Sequence, residues 1–152
     1  MDIEQRLTDL GITLPPPSPP AGTYARALQI DNLIYISGTG PAADFKRRTG
    51  KLGQDVTIEE GNEAARTVAI KVLATLKEAL GDLDRVKQVV KTLGMVNATP
   101  DFADHVKVIN GYADLLVDVF GEKAGKGARS AVGMGSLPGN ICVEIEGVFL
   151  VE

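Results

Sequence analysis

The stretch Ile141-Cys142-Val143-Glu144-Ile145-Glu146-Gly147-Val148-Phe149-Leu150-Val151 decides how the rest of the chain is read. Side chains alternate across a β-strand, so Ile141, Val143 and Ile145 share one face, while Cys142, Glu144 and Glu146 share the other with Val148 and Leu150. The first face suits a core beneath helices. The second carries two carboxylates about 7 Å apart, followed by apolar residues that do not belong in water. A sheet covered by helices on one face and half apolar on the other implies a second copy of the chain over the remainder. The expectation is a homo-oligomer with Glu144 and Glu146 near its interface, where a carboxylate needs a partner or a chemical role.

Immediately upstream, residues 128–134 read as a strand joined to this one through Leu137-Pro138-Gly139-Asn140, a turn by composition. Taking Pro138-Gly139 as a two-residue hairpin turn sets Arg129 opposite Val148, on the Glu144 face and about 13 Å along the strand from it. Before that lies a helix with Thr99-Pro100-Asp101 as its start signal, Phe102, Val106, Ile109, Ala113, Leu116 and Phe120 as its apolar stripe and Gly121 as its stop. Residues 121–127 read as a flexible loop. Valine-rich residues 86–97 have no helical period and read as a long strand with Gly94 as a close-approach point.

A second long helix starts at the capping box Thr57-Ile58-Glu59-Glu60, carries Ala65, Ala69, Val72, Leu76 and Ala79 on one face, and ends at Gly81. Residues 25–30 and 33–37 form a hairpin about Asp31-Asn32. Residues 1–21 comprise a short helix, with Ile3, Leu7 and Leu10 as its apolar stripe, and a proline-rich extended connector; residues 22–152 form the main domain. Together these give an α+β fold, a mixed sheet with both long helices on one face.

At 152 residues the chain is long enough to bury one core without disulfides or structural metal. Sixteen Lys plus Arg against 20 Asp plus Glu leave a net charge of -4, which disfavours nucleic acid as a partner. The one cysteine cannot close an internal disulfide, and no Cys/His cluster has zinc-ligand spacing, so a reducing cytoplasm and no metal are expected. The N-terminus is polar and acidic and no apolar run reaches bilayer length, so no membrane association is expected.

Several short motifs together resemble the Rid family, the YjgF-type reactive-intermediate deaminases. They are Gly22-Thr23-Tyr24, Ile34-Tyr35-Ile36-Ser37-Gly38, Ala128-Arg129-Ser130-Ala131-Val132, Leu137-Pro138 and Val143-Glu144-Ile145-Glu146. The resemblance implies a chorismate-mutase-like fold, a homotrimer with clefts between subunits, and cofactor-free hydrolysis of enamines and imines to 2-keto acids and ammonia. It implies that Arg129 clamps the substrate carboxylate, that Glu144 positions or deprotonates the attacking water, and that Tyr24, Ser37, Gly38 and Asn110 line the cleft. Two positions depart from it. Ala131 stands where many deaminases have cysteine, and Thr39 where they have glutamine. These departures keep open a non-enzymatic carboxylate-binding trimer; an endoribonuclease is the other alternative, disfavoured by the acidic charge balance and the absence of aromatic-basic stripes.

Three remaining features read as structural. His105 is a surface histidine beside the helix stripe, Cys142 a small buried or interface residue with nothing local to activate it, and Lys46-Arg47-Arg48 a solvated basic cluster, with contact to an anionic ligand or partner as its alternative. Gly125-Lys126-Gly127 lacks the spacing and the Ser or Thr of a phosphate-binding loop.

Overall fold

The computed structural model describes residues 2–152. In chain order it contains α1 (Ile3–Asp9), β1 (Ala27–Ile30), β2 (Leu33–Thr39), α2 (Ile58–Leu80), β3 (Val86–Asn97), α3 (His105–Gly125), β4 (Ala128–Met134) and β5 (Val143–Val151). The five strands form one sheet in the order β1-β2-β5-β3-β4, with only β3 and β4 parallel. Helix α2 lies over β2 and β5, and α3 over β3 and β4, so both long helices cover one face.

β5 alternates as its sequence demands. Val143, Ile145 and Phe149 are fully buried beneath the helices, while Glu144, Glu146 and Val148 face the uncovered side. The capping box of α2 is complete: the Thr57 hydroxyl accepts from the Glu60 backbone N–H and the Glu60 carboxylate accepts from the Thr57 N–H. Gly94 admits α3 to the sheet, since a Cβ there would lie 2.6 Å from Ile109 side-chain carbons.

The expected β4–β5 hairpin does not form. A strand reached from β3 through a helix returns parallel to β3, and β4 takes the outer edge of that strand. β5 then fills the gap between β2 and β3, antiparallel to both. Residues 135–142 are long enough to cross the end of β3, turning through Pro138–Asn140 with Gly139 and Asn140 at positive φ.

Helix α3 begins at His105, later than its start signal, because residues 99–102 close a separate turn from the Phe102 N–H to the Thr99 carbonyl. Its buried stripe is Val108, Ile109, Tyr112, Leu115, Leu116 and Val119, and Val106 of the expected stripe is 54% exposed. Gly121 interrupts the helix at φ 88°, ψ 164°, but a further helical turn follows it, so residues 121–125 are not the open loop expected.

At the N-terminus, Ile3 and Leu7 of α1 are buried in the same hydrophobic core as the sheet. The Ile3 N–H donates to Asp84 (2.8 Å) and Arg6 Nε donates to the Asp118 carbonyl (2.7 Å). The connector runs on without regular secondary structure and bends at residues 21–24 before β1. No helix is long and apolar enough to cross a membrane among the described residues.

Because the capping box satisfies two otherwise orphaned N–H groups, Thr57→Ala is expected to cost about 1 kcal/mol. Urea unfolding followed by circular dichroism checks this, with Thr57→Ser close to the parent protein.

Candidate functional site

The uncovered face of the sheet is rich in exposed apolar side chains: Leu28 and Ile30 are each 55% exposed and Tyr35 45%. A groove of about 580 Å³ crosses it, lined by Tyr24, Leu28, Tyr35, Ser37, Lys91 and Glu146 among others. Ser37 and Gly38 sit in a β-bulge of β2. The register passes from Ile36 opposite Gly147 to Thr39 opposite Ile145, so β2 has one residue more than β5 in this interval. The bulge brings the Gly38 backbone against Glu144, where a Cβ would stand 2.7 Å from Oε2. Only glycine leaves that carboxylate its place.

Glu144 is half-buried and forms no ion pair among the described residues. Burial pushes its pKa above the ordinary glutamate value, and the neighbouring Glu146 charge adds to the shift. Such a carboxyl group is suited to exchanging a proton at a pH closer to neutrality.

Arg129 is on the other face. It pairs with Thr92 across the parallel ladder, and Thr92 is buried under the helices. Its Nη1 donates to Asn110 Oδ1 of α3 at 2.8 Å. The expected placement on the Glu144 face is therefore corrected. With β3 as its neighbour, the parity of β4 is set by Thr92, and Arg129 turns toward α3. From Arg129 the register leads through Thr92 to Gly147, three residues from Glu144, so the two lie roughly 10 Å apart along the strands and about as far across them. A cavity of about 290 Å³ adjoins the guanidinium, lined by Thr92, Asn110, Ala113, Asp114, Leu116 and Val117 among others.

The candidate residues thus form two groups. Arg129 and Asn110 meet at the free edge of the sheet under α3, while Tyr24, Ser37, Gly38 and Glu144 gather at the bulge on the open face. Within one chain the groups do not meet.

Other sequence candidates fall into place. The Cys142 thiol is fully buried with its Sγ 3.5 Å from the Arg47 carbonyl, and burial pushes it up to about 11. His105 packs edge-on to Phe102, with ring centroids 5.1 Å apart. The basic cluster is tied to the fold rather than wholly solvated: Arg47 pairs with Glu60 at 3.1 Å and Arg48 Nε donates to the Pro41 carbonyl at 3.3 Å. Sequence reading missed Lys91 and Arg26. Lys91 was detectable as a charged residue within the valine-rich strand, whereas Arg26 carries no pattern signal.

These features define a half-covered α+β sheet protein with Arg129 at a free edge and a pair of glutamates on a largely apolar open face. The chain belongs to the YjgF family: the family model described as "YjgF/chorismate mutase-like, putative endoribonuclease" matches residues 4–147. Protein TCP17 of Trypanosoma cruzi is 41% identical over 145 residues, covering 95% of this chain and 91% of its own. A 2-iminobutanoate/2-iminopropanoate deaminase of Dermatophagoides farinae is 29% identical over 141 residues, 93% of this chain and 95% of that protein. A crystal structure of an Agrobacterium tumefaciens protein of unknown function superposes with a TM-score of 0.89 at 40% identity, covering 99% of this chain and 92% of that one.

Carbon-13 NMR of the glutamate side-chain carboxyls tests the electrostatics. Glu144 is expected to titrate above an ordinary glutamate, and Glu146→Gln is expected to lower its midpoint, because removing a neighbouring negative charge favours ionisation.

Proposed function

We propose that the protein hydrolyses reactive 2-imino and enamine acids to 2-keto acids and ammonia, in clefts of a homotrimer where Arg129 of one copy faces Glu144 of a second. The observation that carries this reading is the state of Arg129. The residue its guanidinium donates to is Asn110, a neutral amide, and it forms no ion pair among the described residues. An arginine offers five donors in a fork that matches a carboxylate, and one bond to an amide leaves that fork to a ligand. The name of the mite relative supports the reaction class, and the exposed apolar face supports assembly with further copies of the chain.

The chemistry asks little of the protein. An enamine that gains a proton at its β-carbon becomes the iminium ion, an imine reaches the same ion by protonation at nitrogen, and either way the carbon is electrophilic. Arg129 and Asn110 hold the carboxylate beside that carbon, which converts a bimolecular encounter into an oriented one. Glu144, ionised, takes a proton as water adds to the carbon, giving a carbinolamine. The Glu144 carboxyl returns that proton to the amine nitrogen, the C–N bond breaks to release ammonia, and the hydroxyl proton is lost as the C=O bond forms. Tyr24, Ser37 and the Gly38 backbone line the water-delivering side.

Imino acids generated in situ by an amino-acid oxidase and trapped with semicarbazide provide the assay. The protein is expected to suppress trapping, Arg129→Ala to lose about a hundred-fold or more in kcat/KM, and Glu144→Gln to lose kcat with KM little changed. Sedimentation velocity is expected to give three times the 16.0 kDa chain mass. Binding of 2-oxobutanoate with no change in semicarbazide trapping of the imino acids from any amino acid of a panel would leave a carboxylate-binding trimer instead.

A further inference from the structure

The proline-rich connector makes hydrogen bonds that lead toward the bulge. Arg26, just before β1, donates from Nε to the Ser18 carbonyl (3.0 Å) and from Nη2 to the Pro19 carbonyl (3.1 Å). The carbonyl of Arg26 in turn accepts from the Ser37 N–H (3.0 Å), and the Ala25 carbonyl accepts from the Ser37 hydroxyl (2.6 Å). A second tie runs from the Ala21 N–H to the Tyr24 hydroxyl at 3.2 Å. Connector, Tyr24, Arg26 and Ser37 therefore form one hydrogen-bonded chain that ends beside Gly38 and Glu144.

Two physical features favour this arrangement. An extended polyproline backbone has no internal hydrogen bonds, so the carbonyls of Ser18 and Pro19 are free to accept, and its stiffness limits the entropy lost in holding them in place. Arg26 also stands among like charges. Lys71 donates to the Gly40 and Pro41 carbonyls (3.0 and 3.3 Å), and its pKa is lowered first by burial and then by the charges of Arg26 and Arg48. Carbonyl oxygens of the connector supply the negative ends of dipoles that this cluster needs. The fit is close: the space among Pro15, Pro16, Pro17, Ser18, Arg26, Thr39 and Lys71 amounts to about 10 Å³.

We infer that Arg26 is a positioning residue: fastened by the connector, it holds Ser37 and hence the Gly38 backbone where Glu144 can deliver water. The inference rests on the deaminase reading for its catalytic consequence, but the tie itself is a property of the fold. Because Arg26 acts on the Glu144 side of the cleft and Arg129 holds the carboxylate, its loss affects turnover and leaves substrate binding largely alone.

The experiment compares full-length wild type with Arg26→Gln, Arg26→Lys and Arg85→Gln by two readouts. The Arg85 control also clamps backbone carbonyls, those of Glu152 and Leu80, but lies outside the site. In the imine-trapping assay, Arg26→Gln is expected to lower kcat about ten-fold with KM within about two-fold, Arg26→Lys to recover part of the loss, and Arg85→Gln to leave both unchanged. In amide hydrogen exchange by NMR, Arg26→Gln is expected to speed exchange at Ser37, with the amides of β3 unaffected. Unchanged exchange at Ser37 overturns the inference. So does faster exchange with an unaltered kcat, or an equal loss of kcat in Arg85→Gln. An inactive wild type would sink the deaminase reading and with it the catalytic role of Arg26, while the exchange readout would still decide whether the tie exists.

Discussion

One strand with two incompatible faces governs this molecule. β5 has Val143, Ile145, Phe149 and Val151 on the side that closes the core and Glu144 and Glu146 on the other. Both edges of the strand are hydrogen-bonded, to β2 and β3, so it cannot rotate to relieve either face. Two carboxylates are thereby held on the open face, Glu146 on the groove it shares with Leu28 and Tyr35 and Glu144 against the Gly38 backbone. Partial desolvation of Glu144 follows from this placement, and Glu146 on the same side of the strand reinforces it. The raised pKa of Glu144 is a consequence of strand geometry before it is a feature of any reaction.

Local rules carry far in this sequence. The alternation of β5, the capping box of α2 and the bounds of β3 are set by residues close together in the chain, and each was legible without the fold. Strand adjacency was not, because it is a property of the crossover through α3. The composition of Leu137-Pro138-Gly139-Asn140 suggested a tight hairpin, yet the residues after Met134 cross an intervening strand before β5 begins. The start of α3 shifted for a similar reason: Phe102 has the right spacing for the helix stripe, but the turn closed on Thr99 removes it from the helix.

Parity explains what the sequence could not say about the site. Moving a strand by one residue, or changing its neighbour, exchanges its two faces. Residue types at the candidate positions were readable through the family resemblance, and two local clusters of them are present: Arg129 with Asn110, and Gly38 with Glu144. The face occupied by Arg129 depended on its pairing with Thr92 of β3, which no pattern near Arg129 encodes. A site divided between two faces of one chain is also a physical argument for assembly, since a second copy can bring an edge strand against an open face that the first chain cannot reach by itself.

The two departures from the deaminase pattern bear on different parts of that arrangement. Thr39 is 2% exposed, and its hydroxyl donates to the Ser37 carbonyl at 2.9 Å, so it braces the bulge from within. A glutamine side chain there would need space that the buried threonine does not have. Ala131 lies on the same face of β4 as Arg129, paired with Gly94 and packed against the core. Neither residue supplies a charge or a proton to the proposed hydrolysis, whose demands fall on a guanidinium free to bind a carboxylate and a carboxylate able to accept a proton from water. The departures alter how the bulge is braced and how the edge strand is packed, while the two charged groups on which the proposed turnover depends, Arg129 and Glu144, lie elsewhere.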